Sequence, residues 1–176
     1  MTLGRRSGSQ ILARPVKTVV LTTHRLGLMN LIREILEDAR RRLAILAPAA
    51  PISEAAAILV DTATPIAVIC DDEGVAVGIV SRTDLIRVLA RKRADAAVMS
   101  VSSVMTNAFF SCHENQTLQN VWEGMNKRSL RCAPVLDDFR RPQGVVHARD
   151  LARALLEEVT QEELMLRDYV LGIGYQ

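Results

Sequence analysis

Gly78-Ile79-Val80-Ser81-Arg82-Thr83-Asp84 returns 66 residues later as Gly144-Val145-Val146-His147-Ala148-Arg149-Asp150. In each copy an apolar run ends on a polar residue, an Asp follows three residues on, and an apolar-periodic segment comes next. That is the pattern of a strand passing directly into a helix. The register extends beyond these loops, because Ile52-Ser53-Glu54-Ala55-Ala56 lies over Leu118-Gln119-Asn120-Val121-Trp122 at the same spacing. A shared offset across both openings marks an internal repeat and not a chance likeness of two turns.

Working outward, the first unit reads as a strand at Leu43 to Leu46, a helix opened by Pro51 and Ser53 and ending near Val60, and a buried strand at Ile66 to Cys70. Asp71-Asp72-Glu73-Gly74 turns the chain into a strand from Val75 to Val80, and a helix follows from Arg82 to Lys92. The second unit reads as a strand at Phe109 to Cys112, a helix from Thr117 to Lys127, strands at Cys132 to Leu136 and Val145 to His147, and a helix from Leu151 to Val159. A leading helix begins at Leu28, with Leu31, Ile32, Ile35 and Leu36 on one side, and Gln161 to Leu171 reads as a separate terminal helix. Each unit is small for a self-sufficient core, so two halves sharing apolar sheet faces would bury more surface than either alone.

The composition sets limits. At 176 residues, with 49% hydrophobic and 24% charged residues, the chain can fold around a substantial core. A formal net charge of +2 gives no polyanion-binding signature. No apolar run approaches the roughly 20 residues that cross a bilayer. Cys70, Cys112 and Cys132 lack C-x-x-C spacing and His24, His113 and His147 are scattered, so the cysteines read as ordinary thiols and no metal site can be written. The first 33 residues hold no acid but contain Arg5, Arg6, Arg14, Lys17, Arg25 and Arg33. Residues 1–27 are read as a basic, flexible extension ahead of a bacterial cytoplasmic domain; an organelle transit peptide, and hence an organelle matrix, is the other reading of that bias.

The motif copies, together with Ala133-Pro134-Val135 and Val104-Met105-Thr106 before the second copy, resemble the tandem cystathionine beta-synthase (CBS) domain pair, over about Leu28 to Val159. The small stand-alone bacterial type is the nearest in organisation. The resemblance implies an α/β fold class: two β-α-β-β-α units packed through their sheets into a disc with clefts between them, plus a C-terminal helix. The units are bounded as 28–98, including the leading helix, and 99–159, followed by the terminal helix and tail at 160–176. It also implies a homodimer of such discs. Leu164, Met165, Tyr169 and Val170 give the terminal helix an apolar stripe suited to packing or dimer contact.

Ser81 and Asp84 stand at a helix opening, where free amides favour phosphate, and an Asp can accept hydrogen bonds from a ribose diol. In the resembled family a Ser/Thr-x-x-Asp at this position contacts the ribose and phosphate of adenine nucleotides. The same spacing is also close to a helix-capping box, which needs no ligand. In the second copy Asp150 remains but His147 replaces the hydroxyl residue; His147 and Asp150 stay ligand-binding candidates, since a histidine can donate to a phosphate or stack on a base, and the alternative is that its bulk closes that cleft or changes its specificity. Arg128 and Arg131 precede Ala133 and Pro134, setting cations beside an apolar wall suited to adenine. The resemblance lets an Arg there reach phosphates across the cleft; a solvated charge run is the alternative. Arg82 is also counted among the ligand-binding candidates, although it and Arg149, inside the motif copies, rank below Arg128 and Arg131 because solvent exposure is the alternative for both. Trp122, at helical spacing with Leu118, Val121 and Met125, reads as core or interface.

Asp71, Asp72 and Glu73 precede Gly74 and read as a turn, not a catalytic pair. No nucleophile elbow, phosphate loop or dinucleotide fingerprint occurs. The expected function is therefore non-catalytic and regulatory: an adenine nucleotide (AMP or ATP foremost, with NADH or an S-adenosyl compound also open) bridges the halves and alters contact with an unknown regulated protein. A dimerisation or protein-interaction module without a nucleotide ligand is the rival. Nucleic-acid binding through the basic N-terminal stretch is a weaker third reading.

Overall fold

The structure is a computed structural model that describes residues 30–61 and 63–172. The basic extension assigned to residues 1–27 lies outside the described residues. A 3-10 turn at Ile32–Ile35 leads into α1 (Leu36–Arg40), followed by β1 (Ile45–Leu46), α2 (Ile52–Leu59), β2 (Ile66–Cys70), β3 (Ala76–Ser81) and α3 (Arg82–Lys92). Two further 3-10 turns (Arg93–Val98 and Val101–Ser103) lead to α4 (Leu118–Asn126), β4 (Cys132–Leu136), β5 (Pro142–His147) and α5 (Ala148–Gly172). The mixed α/β class and the repeated order of elements are as the sequence implies.

The repeat holds at the level of single hydrogen bonds. β2 and β3 pair antiparallel from Ile66 opposite Ser81, and β4 and β5 pair likewise from Cys132 opposite His147, with an irregularity at the equivalent step in both ladders. In the first hairpin, Asp71 Oδ1 accepts from the Glu73 and Val75 amides at 3.1 and 2.9 Å. In the second, Asp137 Oδ1 accepts from Phe139 and Arg141 at 2.9 and 2.8 Å. These Asx turns explain the acidic stretch at Asp71 as backbone architecture. The left-handed position each turn needs is filled by Gly74 (φ 80°) in one and by Arg140 (φ 61°) in the other.

Three apolar clusters organise the interior. Ile52, Leu59, Ile69, Val80 and Leu85 join α2 and α3 to the outer face of the first sheet. Leu118, Val121, Met125, Val135, Val146 and Leu151 do the same for α4 and α5, and Trp122 packs against this cluster. The third cluster draws Ile66, Val68, Cys70 and Ala76 from one half and Leu136 and Val145 from the other, so the inner sheet faces meet as a shared core. The halves are also crossed at their edges. The leading segment lies on the second half, with the Ile32 amide bonded to the Gln116 carbonyl and the Asn30 carbonyl receiving the Leu118 amide. The linker after α3 makes the matching contacts on the first half, Ile52 to Met99 and Val101 to Ala50. Glycine permits the closest approaches: a Cβ on Gly78 would meet Met105 Sδ at 2.7 Å, and one on Gly144 would meet the Ala39 carbonyl carbon at 2.8 Å.

Two expectations change. The strand expected at Phe109 to Cys112 is reduced to one parallel bridge from Cys112 to Val135, because only Cys112 finds backbone partners, through Pro134 O at 3.0 Å and the Leu136 amide at 2.8 Å. Nor does the terminal helix stand apart: Leu151 to Val159 and Gln161 to Leu171 form one continuous helix, α5. The sequence between them, Val159-Thr160-Gln161, has no Gly or Pro to stop it. Its proximal part is anchored by fully buried Leu151, whereas Leu156, Leu164, Met165, Leu166 and Tyr169 are exposed farther along.

Candidate functional site

Where the two halves meet, a cleft of about 1030 Å³ is lined by Ser81, Arg82, Thr83 and Asp84 of the first half. Thr106 and Ala108 to Ser111 of the linker and Arg128 to Cys132 of the second half face them. The volume is at the upper end of the range for small-molecule sites.

At its rim the opening of α3 carries a reciprocal Ser81–Asp84 cap. Ser81 Oγ donates to Asp84 Oδ2 at 2.6 Å, the Ser81 amide donates to the same oxygen at 3.0 Å, and the Asp84 amide donates back to Ser81 Oγ at 3.3 Å. The second carboxylate oxygen of Asp84 accepts from Arg87 at 3.1 Å. A carboxylate has about four acceptor positions, so this arrangement satisfies the helix end while leaving capacity toward the cleft. Capping and ligand contact are thus compatible in one residue pair.

Arg82, partly buried in the cleft wall, is held by backbone carbonyls. Its Nε donates to Leu59 O, and Nη2 donates to Asp61 O and, at 3.0 Å, to Thr64 O. These bonds use three of its five N–H donors, so Arg82 braces the end of α2 and the loop after it against α3 while it also forms part of the cleft wall.

Arg128 lies with its guanidinium 5.0 Å from the centre of the Phe110 ring and donates to Gly124 O at 3.0 Å. Gly124 makes room for this stack, since a Cβ there would meet the ring at 2.8 Å. Ser129, with φ 53°, turns the backbone sharply beside it. Arg131 is exposed at the mouth, and its carbonyl receives the Ala148 amide at 2.9 Å, tying the cleft wall to α5.

Ala133 and Pro134 do not line the cleft. Ala133 is buried against α4 and α5, and the carbonyl of buried Pro134 receives the Cys112 amide. Both lie inward of the strand start at Cys132, so the apolar wall is formed instead by Ile66, Ile79, Phe109 and Phe110. Sequence reading missed the phenylalanines because it placed them in a strand. Cys132 also faces the cleft, but burial pushes its thiol up to about 11 and that of Cys112 up to about 12, and both stay protonated at neutral pH.

His147 and Asp150 occupy the equivalent place at the start of α5, away from this cleft. Asp150 Oδ2 lies 2.6 Å from Arg42 Nη1, with the two side chains 23% and 17% exposed, and Arg149 Nε lies 3.7 Å from Asp150 Oδ1. His147 Nε2 is buried without a hydrogen-bond partner. Burial holds the His147 pKa below the ordinary 6.5, assisted by the Arg42 and Arg149 charges and opposed by Asp150 and by hydrogen bonding at the Ala63 backbone. The unfolded chain therefore binds this proton more readily than the folded one, and acidification through and below 6.5 costs stability. The melting temperature is expected to fall between pH 7.5 and 5.5, and His147→Gln should remove part of that fall; an unchanged pH profile in the variant would rule the effect out.

Among the described residues no cluster of three or more His, Cys, Asp or Glu is arranged to hold a metal, and no helix is long and apolar enough to cross a membrane.

Two duplicated α/β halves, joined sheet to sheet around a cleft that opens at a strand-to-helix turn, define a paired-repeat module. The chain belongs to the CBS domain family, whose model matches residues 32–91 and 101–157. Among solved structures it is similar to a CBS domain pair in complex with 5'-methylthioadenosine and S-adenosyl-L-methionine, with 26% identity, a TM-score of 0.62, and 73% of this chain and 98% of that one covered. It is also similar to a CBS-domain containing protein from Agrobacterium tumefaciens, with 28% identity, a TM-score of 0.61, and 70% and 97% coverage. L-aspartate semialdehyde sulfurtransferase from Methanocaldococcus jannaschii is 31% identical over 102 residues, 58% of this chain, and the match spans only 19% of that protein's length.

Proposed function

We propose that this protein is a non-catalytic regulatory module that binds an adenosyl ligand in the cleft between Ser81–Asp84 and Arg128–Arg131. The observation that carries the reading is that cleft itself: a helix opening with a carboxylate, an apolar and aromatic wall, and cations across from both. A base would lie against Ile66, Ile79 and Phe109, a ribose diol would donate to Asp84, and Arg128 or Arg131 would meet an anionic group. The bound adenosyl compounds of the similar pair support the ligand class. AMP, ATP and S-adenosyl-L-methionine share the adenosine part and differ in what they present to the two arginines.

A ligand that touches both halves biases their packing, and that change would be passed to a regulated partner protein in the cytoplasm. The exposed apolar residues of distal α5, including Leu164 at 55% and Tyr169 at 69%, support contact with a second copy in a homodimer. The same residues, with a capping box complete in itself, support the rival reading of an interaction module without a nucleotide.

Calorimetric titration of the purified protein with AMP, ATP, NADH, 5'-methylthioadenosine and S-adenosyl-L-methionine separates the two. Saturable heat with at least one adenosyl compound, accompanied by a raised melting temperature, is expected. No heat and no thermal shift with any of them would leave the interaction module as the function.

A further inference from the structure

The two halves differ most where their likeness should make two equivalent clefts. Ala39 stands over Gly144 as Met105 stands over Gly78, and Cys112 pairs with Val135 as Leu46 pairs with Ile69. Both correspondences keep the offset of 66 residues and place Arg42 at the position of Ala108, which lines the wall of the first cleft. In the first half that position is apolar, and among the described residues Asp84 is ion-paired with Arg87, a 58% exposed residue of its own helix. In the second half Arg42 reaches from another segment to Asp150 at 2.6 Å, off the line of a directed hydrogen bond but in close charge contact, with both side chains largely buried. The carboxylate that corresponds to Asp84 is therefore already neutralised, and the hydroxyl that corresponds to Ser81 is replaced by an imidazole.

We infer that Arg42 is an internal latch that occupies the second cleft and restricts the protein to one adenosyl ligand per chain. This inference rests on the reading of the first cleft as an adenosyl site. The guanidinium sits against Asp150 Oδ2 in charge contact, in the space a ribose diol would need to reach that carboxylate, and a neutral diol does not displace a largely buried cation from its counter-charge. His147 is secondary: its neutral ring leaves Nε2 unpartnered and takes no part in the latch. Specificity between the clefts is thus set by one residue that precedes β1 and lies far in sequence from Asp150.

The test is ligand stoichiometry, measured by calorimetry with S-adenosyl-L-methionine and AMP on the full chain. The unmodified protein should bind one equivalent, Arg42→Ala should bind two with the first affinity kept within about twofold, and His147→Ser should still bind one. Persistence of one site in Arg42→Ala, or a second site in His147→Ser alone, would overturn the latch while leaving the first-cleft reading intact. No binding to the unmodified chain or to any variant would remove both. If Arg42→Ala leaves Asp150 too poorly solvated for folding, Arg42→Gln, which keeps the length and drops the charge, gives the same readout, and first-cleft binding reports that the variant is folded.

Discussion

Asp84→Ala is expected to weaken adenosyl-ligand binding by about 10- to 100-fold, the loss of a charge-assisted hydrogen-bond acceptor at the ribose, each tenfold being about 1.4 kcal/mol. The substitution also removes the acceptor for the Ser81 amide and hydroxyl. Loss of that half of the capping box should cost about 1 kcal/mol of stability. The two effects are separable, since calorimetry at a temperature well below the melt reads affinity and a thermal melt reads the cap. If the melt shifts while affinity stays within twofold, Asp84 is a capping residue only.

The largest stability effect is expected at Gly144. A Cβ there would lie 2.8 Å from the Ala39 carbonyl carbon and 3.0 Å from the Arg40 amide nitrogen, and backbone cannot step aside without moving α1 off β5. Gly144→Ala should cost about 1–3 kcal/mol, in the range of overpacked cores, and Gly144→Val more. Gly78→Ala is the internal control, because its nearest obstacle is the thioether of Met105, the flexible end of a side chain. Denaturant midpoints should therefore fall clearly for the first and only slightly for the second. Equal shifts would mean that α1 is loosely held on the second half.

The acidic turn, the two strand-to-helix openings and the apolar helices could be read from the chain because each depends on neighbours close in sequence. Asp71 and Asp137 fold their own loops, and Ser81 and Asp84 bond to each other across three residues. Arg82 could not be assigned in this way, since its partners at Leu59, Asp61 and Thr64 lie on the far side of the β2–β3 hairpin in the chain. Phe109 and Phe110 were misread for a related reason: their β-forming side chains suit a strand, but the backbone there lacks a ladder to join, and the rings turn to the cleft.

By itself, then, the sequence determined the duplicated α/β units, their register and the residue types at each helix opening, because periodicity and capping are local. The tertiary structure alone decided what each opening faces. Ser81 and Asp84 meet Arg128 and Phe110 only because the two sheets pack face to face, and Asp150 meets Arg42 only because the leading segment crosses onto the second half. Contacts between residues so distant in the chain are set by how buried surfaces fit, and no spacing along the sequence encodes that fit.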